Sequence, residues 1–587
     1  MTSHFRLSLL CLALAGPMAV AQQADTAALL AERTKTQPER LAWWDEARFG
    51  LMIYYGVHSV PAGVCWNQRV PGEAEDVMAT ARIPREDYRA FASRLTASDY
   101  DPENWLSLAA QAGMKYAILT VKANDGFALF DSKATDWDAV DAGAGKRDLL
   151  KPFLAACRKS GLRAGISYSH AIDWMHAGGA TPAGVPRWDP AQNGDFEAYL
   201  HAIALPQVES LLADYGPIDL LSWGRPEGMD RAKAEPFLAL LARQPNIVMD
   251  QRLGGGLPGD IEVVESDRLP GGPPARREWR IPLNGSWGYK SWQHEWKPSA
   301  LLVRRLVEAA SQGANLVLGV GPDARGRLPR EAVERLKDFA RWMAVNAESI
   351  HGTTPSPLPP LPWGRCTLKT SPKGDAFYLH VFTWPSDRRL VVPGLEAEVI
   401  EARLLADRGT PLKVTPLPRG LALRLPDFPV DDAVTTIALK VKPGWKTSPS
   451  YCAAVGEGCI VMPAEAAELS GVGPVLAEGD QPVLAFWDNP SVSAAWSFLV
   501  EEAGDYRITV RFAAPHGSRF LLDLEGSPAI SMDSPATGDW GRALPLDGGI
   551  LHFDQPGFHR IRLVPAQEGW RPLNVRSVEL RKESTPK

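Results

Sequence analysis

Between about residues 40 and 350, short apolar runs alternate with helical patterns, and this alternation constrains the chain more than any other feature. Residues 51–55 (LMIYY), 116–121 (YAILTV), 163–168, 218–223, 246–250 and 315–320 read as buried strands. Between them, PENWLSLAAQA (102–112) reads as a helix ending at Gly113, 149–160 as a helix closed by Gly161, and 199–215 as one stopped by Gly216-Pro217. Strands joined by helical crossovers lie parallel. Roughly 300 residues of such units fit a (β/α)8-like barrel, whose ligands meet the C-terminal ends of the strands. Asp125, Ser169-His170, Trp223 and Asp250 fall at such ends. The stretch VKANDGFALFDSK (121–133) crowds Lys122, Asn124 and Asp125 into one strand exit, a pattern that suits ligand contact.

The barrel pattern, spanning 40–355, gives way to a proline-rich linker, PSPLPPLP (355–362). From 364 to 443 the sequence alternates as strands do (FYLHVFTW, RLVVPGL, LALRLP, TTIALKV), and this predicts a β-sandwich. A second all-β region follows from 448 to 587, with WSFLVEEAGDYRITVRFAA, RFLLDLEG and FHRIRLVP as strands. The fold class is therefore α/β, a barrel followed by two sandwiches.

The N-terminus carries Arg6, an apolar run over 7–14 and Ala19-Val20-Ala21, the layout of a secretory signal peptide (1–21) cut after Ala21. Export to the periplasm or medium is the expectation, with no membrane-spanning segment. Five cysteines remain after cleavage, of which Cys452 and Cys459 are close enough in sequence to pair in an oxidising compartment. No Cys/His spacing resembles a zinc site, and neither metal nor cofactor is expected. Net charge is −6, from 63 basic and 69 acidic side chains, which gives no reason to expect nucleic acid or anionic membranes as partners. Twenty tryptophans lean toward carbohydrate, since indole faces suit sugar rings; Trp487, Trp496 and Trp540 are candidates in the last region.

Several ordered segments resemble the α-L-fucosidases, family 29 of the glycoside hydrolases. They are ARFGLMIYYGVHSVPAG (47–63), YDPENWLSLAAQAGMKYAILTVKANDGFALFDSK, KRDLL, DWMH (173–176), LLADYGPID (211–219), NGSWGY (284–289), NLVLGVGPDARGRLP and VNAESIHGT. The match runs from about 43 to 443. Residues 448–587 resemble a carbohydrate-binding module through AGDYRITVRF and TGDWGR. The resemblance implies a retaining hydrolase in which one carboxylate attacks the anomeric carbon and another, about 5 Å away, acts as acid and base.

The chain departs from the family pattern at the sugar pocket. The family's His-Trp-Gly is Tyr54-Tyr55-Gly56, and its His-His-Asp-Gly-Phe is Ala123-Asn124-Asp125-Gly126-Phe127. Gly224, in LLSWGRPEG, stands where the resemblance places the nucleophilic Asp. Glu265 takes the family position of a general acid, and Glu278 aligns with another family Glu, open to a plain ion pair with Arg276, Arg277 or Arg280. Substrate contacts are assigned to Tyr54, Tyr55, Asn124, Asp125, His170, Trp223 and Trp287. Asp125 is equally suited to capping a turn before Gly126, and His170 to packing in the core. Glu227, Asp230 and Asp250 are the nearby carboxylates open to replacing the nucleophile.

The function implied is an exported α-L-fucosidase-like hydrolase acting on terminal fucose or a related sugar of an oligosaccharide. With the nucleophile absent, an inverting route is also open, its carboxyls roughly 6.5–9.5 Å apart. The alternative is a carbohydrate-binding protein that keeps the fold without the reaction.

Overall fold

The computed structural model describes residues 8–143, 145–266, 268–270, 276–455, 458–477 and 482–583. The chain divides between Thr353 and Thr354 into two compact units.

The first unit is built on eight parallel strands: β1 (Phe49–Ile53), β2 (Tyr116–Lys122), β3 (Arg163–Tyr168), β4 (Leu220–Trp223), β5 (Val248–Met249), β6 (Glu262–Val264), β7 (Arg277–Pro282) and β8 (Asn315–Val320). Their order in the sheet is β5-β4-β3-β2-β1-β8-β7-β6. The two edges meet through a parallel bridge between Asp250 and Ile261, so the sheet closes into a barrel. Every residue of β1, β2 and β8 is buried. This is the signature of strands covered on both faces, and it explains why they read as unbroken apolar runs. Met52, Ile118, Leu220, Val248 and Val317 form part of one central core.

Helices cover the outside: α2 (Pro102–Gln111), α3 (Leu150–Lys159), α4 (Leu205–Asp214), α5 (Arg231–Leu240), α6 (Ser299–Ser311) and α7 (Arg330–Asn346). Asp101 caps α2 by accepting from Asn104 N, with Pro102 in the first turn. Between β5 and β7 the described residues carry no α-helix, only a 3-10 turn over Gln251–Leu253. The chain there is free to shape the cavity described below.

A 40-residue helix, α1 (Ser8–Ala47), precedes the barrel and includes the expected leader segment from Ser8 onward. Its C-terminal part buries Leu41 and Trp44 in the barrel core. Two of its arginines converge on one carboxylate: Arg33 Nη2 and Arg40 Nη2 each lie 2.6 Å from Asp260, one on each oxygen. Asp260 also accepts from the backbone N–H of Met249 (3.0 Å), so helix, β5 and the approach to β6 share one buried anion.

The second unit is all β and holds two hydrophobic cores. One lies between a four-stranded sheet (Gly364–Lys369, Asp375–Val381, Thr435–Val441, Val399–Leu404) and a three-stranded sheet (Arg389–Pro393, Gly420–Arg424, Val414–Leu417). The other fills the space between a seven-stranded and a five-stranded sheet over the remaining residues. Trp487 and Trp496 belong to that second core with no exposed surface, which leaves Trp540 as the exposed candidate of the three. Cys452 and Cys459 are not joined. The first bridges Phe498 in one sheet and the second pairs with Arg581 in the other, so the two thiols are held apart by their own ladders.

Removing a buried anion that neutralises two guanidiniums is costly, about 3–5 kcal/mol for such ion pairs. Asp260→Ala is expected to lower the denaturant midpoint by an amount matching about 3 kcal/mol. A loss below about 1 kcal/mol would mean that α1 docks without this clamp.

Candidate active site

The strand ends carry a cavity of about 340 Å³, within the range of small-ligand pockets and large enough for one pyranose unit. Five segments build most of its wall: the exit of β2, the exit of β4, the Arg252 stretch after β5, the Glu265 stretch after β6, and an acidic loop, Gly72-Glu-Ala-Glu-Asp76. The loop is fastened to the SWG segment after β7. Ala74 N donates to Ser286 Oγ (3.0 Å), Trp287 N to Glu73 Oε2 (3.0 Å) and Gly288 N to Glu75 Oε2 (3.2 Å).

Of the residues singled out from sequence, Tyr54, Asn124, Trp223, Glu265 and Trp287 line this one cavity. The rings of Tyr54 and Trp287 lie 5.4 Å apart and make one aromatic wall. Asn124 is held in place from both ends of its amide, donating to Asp76 Oδ1 (3.0 Å) and accepting from Ser169 Oγ (3.1 Å).

Four others do not reach it. Tyr55 follows Tyr54 on the opposite face and packs against Tyr100 and Trp105, its hydroxyl donating to Ala324 O. Asp125 turns away from the cavity, accepting from Tyr88 OH (2.7 Å) and Phe127 N (3.2 Å). That second bond is the Asx arrangement of an Asp-Gly turn, completed by Gly126 at φ 73°. Of the cluster Lys122, Asn124 and Asp125, the first two line the cavity and Asp125 does not. His170 sits behind Trp223 at 5.2 Å between ring centres, with Nε2 on Leu253 O. Burial pushes its pKa down to about 3, so it stays neutral.

Glu278 lies near the start of β7, at the opposite end of the barrel from the cavity. It accepts from Tyr116 OH (2.8 Å) and Trp44 Nε1 (3.4 Å) and pairs with Arg280 at 2.5 Å. Two residues on, with the same strand face, Arg280 does reach the cavity. Glu278 is thus the counter-ion beneath the floor. Arg280 also donates through Nη1 to Ser222 Oγ (2.8 Å), which donates in turn to Asp250 Oδ2 (2.7 Å).

Gly224 lines the wall and leaves no room for a larger residue. A Cβ built there falls 2.9 Å from Ser169 Cα, closer than atoms of this kind approach. None of Glu227, Asp230 and Asp250 is part of the cavity wall. Asp230 is spent as the cap of α5, accepting from Lys233 N, and Asp250 is buried under Ser222.

The two remaining kinds of carboxyl differ in charge state. Glu75 is buried, and that burial, reinforced by Glu73 and Asp76 beside it, pushes its carboxyl well above the usual range. Burial would do the same to Glu265, but Arg252, whose Nη1 lies 2.9 Å away, together with Arg280 and Arg225, holds it below the ordinary value. Glu265 therefore faces the cavity biased toward its ionised form. Glu75 escaped sequence reasoning, although the acidic run GEAED was its visible trace. Among the described residues no group of three or more His, Cys, Asp or Glu side chains is placed to hold a metal ion.

A parallel barrel with carboxylates gathered at its C-terminal strand ends has the form of a (β/α)8 glycoside hydrolase. The α-L-fucosidase family model matches residues 18–348, more than half of the sequence, and the chain belongs to the α-L-fucosidase family. Plasma α-L-fucosidase of Rattus norvegicus is 29% identical over 420 residues, covering 66% of this chain and 88% of the rat protein. Among solved structures, α-L-fucosidase isoenzyme 1 of Paenibacillus thiaminolyticus is 32% identical with a TM-score of 0.61, covering 69% of this chain and 100% of that one. An α-L-fucosidase from a Vibrio species shares the fold over 94% of this chain and 100% of its own, at 23% identity and a TM-score of 0.77.

Two outcomes follow from this geometry. Gly224→Ala is expected to destabilise the protein by about 1–3 kcal/mol through overpacking, read from chemical denaturation, and Gly224→Asp to bring no gain in glycoside turnover. A fucosidase-level rate in the Asp variant would show that Ser169 yields. For Glu75, a folded pKa above the unfolded one means that the native state holds the extra proton, so its contribution to stability falls as pH climbs from the unfolded value through the folded one. Glu75→Gln removes that slope and is expected to be more stable than the parent at pH 7 but not at pH 4. Equal stability of the two proteins at both pH values would contradict the assigned shift.

Proposed function

We propose that this protein is an exported glycoside hydrolase of the α-L-fucosidase type, releasing a terminal fucose or related sugar from an oligosaccharide. The observation that carries the reading is the pair of carboxyls, Glu75 and Glu265, lining one sugar-sized cavity with environments that drive their protonation apart. Splitting of this kind is how two chemically similar groups take acid and base roles.

In this reading Glu75 gives its proton to the glycosidic oxygen as the bond to the anomeric carbon breaks. The ionised Glu265 stabilises the positive charge that develops and takes a proton from the water that attacks the same carbon. One proton leaves Glu75 and one arrives at Glu265, and exchange with solvent resets both. Because Gly224 offers no nucleophile, direct attack by water is the route these side chains support, and it inverts the anomeric centre. Tyr54 and Trp287 supply the face against which the sugar ring lies.

The absent nucleophile also supports a second reading, a carbohydrate-binding protein on the same fold. Residues 448–587 fit a carbohydrate-binding role in either case, with Phe486 and Trp540 as exposed aromatics. A panel of α-L-fucosides with good and poor leaving groups separates the two readings. A proton donor matters most for a poor leaving group, so Glu75→Gln is expected to slow an alkyl or oligosaccharide fucoside about 10²–10⁴-fold while sparing the nitrophenyl one. Glu265→Gln is expected to slow both. Binding without turnover in the parent protein would establish the second reading instead. Export is checked by intact mass, which is expected to place the mature N-terminus at Gln22.

A further inference from the structure

This inference rests on the sugar-site reading above and concerns where the rest of the glycan lies. A second cavity, of about 330 Å³, opens at the same end of the barrel, between the exits of β7 and β8 and the first turn of α7. The two cavities share one segment of chain. Trp287 lines the first, and the next two residues, Gly288 and Tyr289, line the second. At 3.8 Å per Cα step, the Cα atoms of Trp287 and Tyr289 stand no more than about 7.6 Å apart. The partition is thin as well. Gly319 lines the second cavity, and a Cβ built on it would fall 2.3 Å from the Trp287 ring of the first. A glycan whose terminal unit fills the first cavity has the second within reach of its next unit.

The chemistry of the second wall narrows the ligand further. Its cations are spent inside the protein: Arg327 pairs with Asp323 (2.7 Å), Arg330 pairs with Glu334 (2.8 Å), and Lys290 Nζ donates to Gly72 O. Among the described residues, the wall groups with no hydrogen bond or ion pair in the protein include the Tyr289 hydroxyl, the Gln293 amide, the His294 ring, Trp296 Nε1 and the Glu331 carboxylate. This set mixes donors and acceptors, and sugar hydroxyls, each able to donate and accept, answer both kinds. The Trp296 indole, with the Arg335 guanidinium 5.4 Å over its ring, adds a held aromatic surface. An aromatic wall with a few convergent polar groups is the usual makeup of a small-molecule site.

We propose that the second cavity binds the sugar unit next to the terminal one, on the leaving-group side of the bond, through Tyr289, Gln293, His294 and Trp296. The protein is then selective for an oligosaccharide over a simple fucoside.

Steady-state rates of the full chain test this with two kinds of substrate. One is α-L-fucosyl fluoride, whose leaving group fills no second site. The other is a set of α-L-fucosyl disaccharides to galactose and N-acetylglucosamine, one of each linkage. For the disaccharide that the parent cleaves best, kcat/KM is divided by the value for the fluoride. Gln293→Ala and His294→Ala, both at positions that are at least partly exposed, are each expected to lower that ratio about two- to tenfold, the worth of one hydrogen bond. The loss is expected chiefly in KM. If the parent binds these sugars without turnover, the same ratio is read from the dissociation constants of the disaccharide and of L-fucose. A ratio in the double variant equal to that of the parent overturns the inference and leaves the reading of the first cavity standing. If no fucosyl compound is bound or turned over, the sugar-site reading falls and this inference with it.

Discussion

The Arg280 guanidinium is the interaction on which the site depends. It is almost wholly buried, it is anchored from below by Glu278, and it reaches across to Ser222 and through it to Asp250. Strands β7 and β4 and the exit of β5 are thereby tied at one point. Glu278 in turn holds Tyr116 at the start of β2 and touches Trp44 of α1. A charge placed inside a barrel is tolerable only when it is paired and hydrogen-bonded, and here the pairing sets the position of the cavity floor. The same guanidinium helps to keep Glu265 ionised. Floor geometry and charge state thus have a common source.

A second set of forces shapes the opposite wall. Three acidic side chains on one short loop repel one another, and the loop is stable because backbone N–H groups of Trp287 and Gly288 bind two of them and Asn124 binds the third. Burial, together with the repulsion that remains, appears as a raised proton affinity on Glu75. The barrel therefore holds two glutamates of opposite proton affinity at one cavity without using the position where the resemblance places the nucleophile.

The sequence announced the barrel because its strands are buried on both faces and its crossovers are amphipathic. Gly113, Gly161 and Gly216 ended their helices where the chain turns. The length of α1 was hidden, since its first part reads as a leader and its docking depends on Arg33 and Arg40 meeting Asp260, more than two hundred positions away. At the site, strand-end position alone did not decide orientation. Tyr54 and Tyr55, neighbours just past the end of β1, point to opposite sides, and Asn124 and Asp125 diverge because an Asp before glycine closes its own turn. Glu278 and Arg280 share a strand face but lie at different depths, so the aligned glutamate was the wrong member of the pair to reach a ligand. Glu75 lies in a loop without periodicity, where no local rule says which carboxyl will be buried.

The fastening of the acidic loop has a consequence for recognition. With Ala74, Glu73 and Glu75 each hydrogen-bonded to the segment over Ser286–Gly288, the two sides of the mouth form one stitched ring rather than a pair of moving flaps. A ligand entering such a ring orders little that is not ordered already. Selectivity is then set by how well a molecule fits a fixed mould, with little conformational entropy surrendered on complex formation.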